Sequence, residues 1–66
     1  MNRKTIDRAL RNRLADAGCY PRREAPGGGE VWFTPHLNLD FTIERVVRDA
    51  AGANAVLRRA GMEEAF

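Results

Sequence analysis

The chain has 66 residues, of which 44% are hydrophobic and 30% are charged, with a formal net charge of +2. This length leaves room for one hydrophobic core, and the composition is too apolar for a chain that stays disordered. A single cysteine excludes an internal disulfide, and no apolar run approaches the roughly 20 residues that cross a bilayer. The sequence predicts one domain over residues 1–66, located in the cytoplasm, without a targeting segment or membrane span.

The charge is unevenly distributed along the chain. Residues 1–25 have seven Lys/Arg against three Asp/Glu, whereas residues 26–44 have three acidic residues and no basic one. Residues 45–60 are basic again, with four arginines against one aspartate. Ten of the eleven cations are arginine, which suits bidentate contacts with phosphate or carboxylate. A GC-rich genome that favours arginine codons explains this bias equally well, and both interpretations stay open.

The first predicted element is an amphipathic helix over Arg3–Ala17, because apolar residues recur every three or four positions. Asp7 can pair with Arg11 one turn later, and Gly18 is expected to end the helix. Three basic side chains are expected to project from the face opposite the core: Lys4, Arg8 and Arg11.

Two strands and a turn are predicted next. The first strand, Cys19–Ala25, contains Pro21, which cannot donate to a ladder, so we expect this strand at a sheet edge. Pro26–Gly29 is a turn by composition, and Glu30–Thr34 has the aromatic and β-branched residues of a second strand. Together these segments predict a hairpin.

The remaining chain predicts a third strand and a second helix. After a turn at Pro35–Asn38, the segment Asp40–Glu44 alternates polar and apolar residues, which is typical of a half-buried strand with Phe41 and Ile43 facing the core. Helical spacing then returns for about ten residues, with Asp49 as a candidate N-cap and Gly61 as the end. The predicted fold is a two-layer α+β domain, helix-strand-strand-strand-helix, with both helices on one face of an antiparallel three-stranded sheet.

The sequence offers little material for catalysis or metal binding. His36 is the only histidine and lies in a predicted turn, where a solvated side chain is the favoured interpretation and a metal site is not expected. There is no serine, and Cys19 is expected to be buried and structural. The triple glycine precedes a strand and lacks the Gly-Lys-Ser/Thr sequence of a phosphate loop, so a hairpin turn is favoured. We expect no cofactor.

Trp32 is the aromatic residue with a candidate role in binding. In the strand Val31-Trp32-Phe33, successive side chains point to opposite faces, so Trp32 lies on the face away from its two neighbours. Either the sheet is covered on both sides or Trp32 is exposed. An exposed tryptophan that contacts a partner chain or an RNA base is favoured over one packed against an arginine stem.

Two short motifs carry a family resemblance. The stretch Gly27–Pro35, GGGEVWFTP, and the stretch Ala53–Met62, ANAVLRRAGM, occur in this order, and on them Leu14–Met62 resembles the HicA toxins of bacterial toxin-antitoxin pairs. The second stretch is similar to a helix with the sequence Thr-Ala-Asn in one branch of that family. Gly52, which precedes the stretch, occupies the position of that threonine. The resemblance implies a fold like the double-stranded RNA-binding domain and an mRNA interferase activity.

The same resemblance implies that the usual catalytic residue is missing. In the family a Gly-Ser-His sequence opens the second strand, and its histidine is credited with acid-base cleavage of RNA. Aligning Glu30-Val31-Trp32 with the family's Glu-Ile-Trp puts Gly29 at the histidine, and glycine has no group that moves a proton. We therefore expect a catalytically degenerate domain. The alternative is an active endoribonuclease that uses Glu30 or His36 as acid or base.

The function expected from the sequence is therefore binding. The partner is RNA or, through Trp32 or an open sheet edge, a host or antitoxin-like protein, with no membrane partner. A homo-oligomer and a bacteriophage or mobile-element origin stay open alternatives. Seven basic residues are expected to contact RNA phosphates: Lys4, Arg8, Arg11, Arg22, Arg23, Arg58 and Arg59.

Overall fold

A computed structural model of the chain describes the backbone of residues 3–66 and the side chains of residues 5–66. The predicted order of elements and the α+β class are confirmed, and the predicted ends of α1, β1 and β3 differ from the observed ones by at most one residue, as is usual where elements fray. The elements are α1 (Arg3–Asp16), β1 (Tyr20–Glu24), β2 (Glu30–Thr34), β3 (Leu39–Ile43) and α2 (Ala50–Arg59).

The helix ends follow from local chemistry. Gly18 and Gly61 follow the two helices with φ values of 95° and 77°, a conformation that side chains with a Cβ rarely adopt. The backbone N–H of the residue after each glycine donates a 2.9 Å hydrogen bond to the carbonyl five positions earlier, which closes a Schellman motif. At the start of α2, the Asp49 carboxylate accepts a 2.7 Å hydrogen bond from the N–H of Gly52, so the predicted N-cap is confirmed.

The sheet is antiparallel, with strand order β1-β2-β3, so β1 lies at an edge as its proline predicted. In the β2–β3 register, Trp32 is opposite Phe41 and Phe33 is opposite Asp40. Residues opposite each other in a ladder point to the same face of the sheet. The register therefore assigns Trp32 to the face of Phe41, and Phe33 to the other face with Asp40.

Both helices pack on the face that carries Trp32. The indole is 6% exposed, and its N–H donates a 3.3 Å hydrogen bond to Glu30 Oε1. The expectation that Trp32 is exposed for a partner is therefore wrong. The reason is that Phe41 faces the core, as predicted, and Trp32 is its partner across the ladder. The core consists of Leu10, Leu14, Cys19, Trp32, Phe41, Ile43, Val47, Ala53, Val56, Leu57 and Ala60.

The opposite face of the sheet is not covered by a helix in the part of the chain that the structure describes. We call it the open sheet face. Val31 is buried there but lies outside the core cluster, and Phe33 is half-buried. Its members, from the register and the side-chain contacts, are Tyr20, Arg22, Arg23, Val31, Phe33, Asp40 and Thr42.

Candidate nucleic-acid interface

Two aromatic rings lie side by side on the open sheet face. Tyr20 in β1 is opposite Phe33 in β2, and their ring centroids are 5.4 Å apart with an interplanar angle of 35°. The Tyr20 residue is 49% exposed, although it is one of the larger apolar side chains of the protein. A tilted pair at this distance is an ordinary favourable aromatic contact. It presents a π surface to solvent.

A bulge places two consecutive arginines beside these rings. Neighbouring strand residues normally point to opposite faces, but the β1–β2 register shifts between Pro21 and Arg23. Arg22 therefore reaches the same face as Arg23, and its Cζ lies 5.9 Å from the centroid of the Phe33 ring. This distance is within the range of a cation–π contact.

Asp40 lies between the two guanidinium groups. Its Oδ1 is 3.6 Å from Arg22 Nε, and its Oδ2 is 3.6 Å from Arg23 Nη1. Both distances exceed the length of a hydrogen bond, and all three side chains are at least one-third exposed. Such contacts contribute little to stability. An external anion can compete with the carboxylate for either arginine.

Arg11 pairs with Asp7, as predicted, but its side chain does not project from the face opposite the core. Its Nε donates to Asp7 Oδ2 on the same helix at 3.0 Å, and its Nη1 donates to Glu30 Oε1 at the start of the central strand β2. Its Nη2 donates at 3.2 Å to the carbonyls of Glu44 and Arg45. Burial disfavours the charged guanidinium, but the hydrogen bond and charge of Asp7, followed by those of Glu30, outweigh it and raise the pKa of Arg11. Arg11 therefore connects α1 to the sheet and the following loop.

Glu30 is engaged in this same network. One oxygen, Oε1, accepts from both Arg11 and the Trp32 indole. His36, the other candidate acid or base, is exposed in the turn at the far end of β2, as predicted, and its backbone N–H donates to Thr34 Oγ1 at 3.2 Å. The ends of β2 are roughly 13 Å apart at 3.3 Å per residue, so these two groups do not form a pair.

Gly29, at the position that the resemblance assigns to a histidine, lies close against the backbone of β3. A Cβ added there would lie 2.6 Å from the carbonyl oxygen of Ile43 in the neighbouring strand. Backbone does not yield as a flexible side chain does, so any larger residue at this position requires a shift of the strand. The close approach of β3 therefore favours glycine at this position.

The predicted RNA-binding residues do not form one patch. Arg22 and Arg23 lie together on the open sheet face, whereas Arg8 is exposed on α1. On α2, Arg58 pairs with Glu64, and Arg59 donates to Glu44 Oε1 at 2.7 Å. The side chain of Lys4 lies outside the described residues.

Three members of the candidate interface were missed by sequence reasoning: Tyr20, Phe33 and Asp40. A signal for Asp40 exists in the pattern of the third strand. Once Phe41 is assigned to the core, its neighbour Asp40 belongs to the opposite face, and an antiparallel partner of Asp40 joins it there. The bulge that brings the two arginines together has no comparable signal.

Comparisons with known proteins give no match: no family model, no curated protein and no solved structure is similar to this chain. The HicA resemblance therefore stays a prediction from its two short motifs. Within residues 3–66, no helix is long and apolar enough to cross a membrane. In the same part of the chain, His, Cys, Asp and Glu side chains form no group of three that could hold a metal ion. Cys19 is buried, as predicted.

Proposed function

We propose that the chain is a HicA-like, toxin-related domain that binds RNA without cleaving it. The observation that carries this proposal is the open sheet face, where Tyr20 and Phe33 lie beside Arg22 and Arg23. Aromatic rings give stacking surfaces for bases, and arginines give bidentate contacts for phosphates. Exposed aromatic and arginine side chains on a sheet face that no helix covers are a common arrangement in RNA-binding proteins.

The absence of cleavage is supported by the surroundings of the candidate acid-base groups. Efficient proton transfer needs a group within hydrogen-bond reach of the substrate. Glu30 already accepts two hydrogen bonds inside the protein, and Gly29 has no side chain. His36 lies in the turn at residues 35–38, where every residue is exposed. Binding therefore requires fewer assumptions than catalysis.

The first experiment measures the affinity of the purified chain for a mixed-sequence RNA by fluorescence anisotropy at several salt concentrations. The variant with Arg22→Gln and Arg23→Gln is compared with a matched variant, Arg8→Gln with Arg58→Gln, which removes the same charge elsewhere. If Arg22 and Arg23 each neutralise one phosphate, their removal makes the plot of log affinity against log salt shallower by about 1.4. No RNA affinity at low salt in the wild type would refute the proposed function.

The second experiment follows growth and total mRNA of bacteria that express the chain. The proposal predicts intact mRNA whether or not growth is inhibited. If the wild type depletes mRNA and the Glu30→Gln or His36→Gln variant does not, the endoribonuclease alternative is favoured. Arrest with intact mRNA in a variant that no longer binds RNA would point to a host protein instead.

A further inference from the structure

We infer that the open sheet face is a stacking site for unpaired bases of single-stranded RNA, with Tyr20 as the platform for the first base. This inference rests on the proposed function and specifies its ligand. It also removes the arginines of the two helices from the binding site. The site combines one exposed ring, one covered ring and two loosely held cations.

Tyr20 is the accessible ring of the pair. The residue is half exposed in an edge strand, and its neighbour across the ladder holds the ring against the sheet. Phe33 is half-buried, and the guanidinium of Arg22 lies over it at 5.9 Å. A base can therefore stack directly on Tyr20 and on the outer plane of the Arg22 guanidinium, since both are flat and polarisable.

The form of the RNA follows from this geometry. Bases inside a duplex are already stacked on both sides and their faces are not available to a protein ring. A site built on ring faces needs bases that are unstacked and turned outward, as in single strands and loops. The double-stranded RNA that the fold resemblance suggests is therefore not the ligand of this face.

The phosphate contacts come from the arginines that Asp40 holds. Arg23 has the most exposed side chain of these three residues, at 62%, and its contact with Asp40 is 3.6 Å long. A phosphate can replace the carboxylate at both guanidinium groups with shorter, bidentate hydrogen bonds. On α2, by contrast, Arg58 and Arg59 have close carboxylate partners. The sugar-phosphate backbone of the bound RNA is therefore expected to pass beside Arg22 and Arg23.

The test compares three probes of one sequence: a short single-stranded RNA, the same RNA annealed to its complement, and single-stranded DNA. Affinities are measured for the wild type and for Tyr20→Ala, Tyr20→Leu and Tyr20→Phe. Removal of the ring is expected to weaken single-stranded RNA binding about 5- to 140-fold, which corresponds to the loss of one stacked base. Tyr20→Phe keeps the ring and is expected to keep the affinity. Because Tyr20 is half exposed, each variant is expected to keep the fold, and thermal unfolding checks this.

The outcomes separate this inference from the proposed function. Tight RNA binding that is unaffected in Tyr20→Ala, or a preference for the annealed duplex, overturns the stacking site and leaves RNA binding in place. Full retention of affinity in Tyr20→Leu also overturns it, because leucine supplies apolar area without a ring. Single-stranded DNA that binds more tightly than RNA supports the stacking site and contradicts RNA as the ligand. Failure of every probe to bind overturns both proposals.

Discussion

The hydroxyl of Thr34 donates a 2.6 Å hydrogen bond to the carbonyl of Ala60, where both residues are fully buried. This bond joins the end of β2 to the residue that follows α2. The same oxygen accepts the N–H of His36, so a single side chain fixes the helix end and the next turn. It is the only polar residue in the buried set of the described chain.

Thr34→Val is expected to lower the free energy of unfolding by about 1–3 kcal/mol, because a buried carbonyl loses its partner while the side-chain shape is kept. Thr34→Ser keeps the hydroxyl and removes one methyl group, which costs roughly 0.8 kcal/mol. Urea denaturation of the two variants measures the difference. A valine variant at least as stable as the serine variant would show that the hydrogen bond does not stabilise the fold.

Asp7 joins α1 to the loop before α2, since Oδ1 accepts the N–H of Val47 at 2.9 Å and Oδ2 pairs with Arg11. Asp7→Ala removes both contacts and is expected to cost about 1–3 kcal/mol of stability. Asp7→Asn keeps an oxygen for Val47 and loses the charge, so its cost is expected to be smaller. Denaturant midpoints in low and high salt check this order. Equal stability of all three proteins would contradict the role given to Asp7.

Gly29→His is expected to destabilise the protein without creating a ribonuclease. The added Cβ meets the Ile43 carbonyl, and forcing extra atoms into a packed site typically costs about 1–3 kcal/mol. Gly29→Ala is the control that adds the Cβ without the imidazole. Thermal unfolding and an RNA cleavage assay are measured together. A stable Gly29→His variant that cleaves RNA would mean that only the missing side chain separates this chain from an active HicA-like enzyme.

Asp40→Asn is expected to raise the affinity for single-stranded RNA. The substitution removes a negative charge that lies about 4 Å from both cations. A charge pair at this distance interacts by about 1 kcal/mol in water. Its loss corresponds to a roughly fivefold increase in affinity for RNA at low salt. Stability should change little, because the two ion contacts are long and exposed. Anisotropy titrations give the affinity. Glu64→Gln, which frees Arg58 on α2, is the control and is expected to leave the affinity unchanged. Weaker binding in Asp40→Asn would indicate that the carboxylate contacts the RNA.

Local signals in the sequence predicted most of the fold. Pro21 placed β1 at an edge, Gly18 ended the first helix, and Asp49 began the second, because each of these effects acts within a few residues of the chain. The period-two pattern of β3 likewise predicted that Phe41 faces the core. The turn signals of Pro35–Asn38 are also local, and the prediction that His36 lies in an exposed turn was correct.

The candidate site depended on longer-range relationships. The alternation in Val31-Trp32-Phe33 showed that the two aromatic residues lie on opposite faces, but not which face the helices cover. That choice follows from the register of β2 with β3, which the sequence does not state. The partial burial of Arg11 depends in the same way on Glu30, nineteen positions along the chain.

The sequence by itself determined the order of the elements, their turns and caps, and the positive charge of the helical segments, because all of these arise from near neighbours. Only the tertiary structure decided that Trp32 is in the core, that Gly29 lies against a neighbouring strand, and that Tyr20 and Phe33 share a face with two arginines. Strand register and a single bulge brought these residues together. Both depend on pairing between distant segments, where packing of the whole core outweighs local preference.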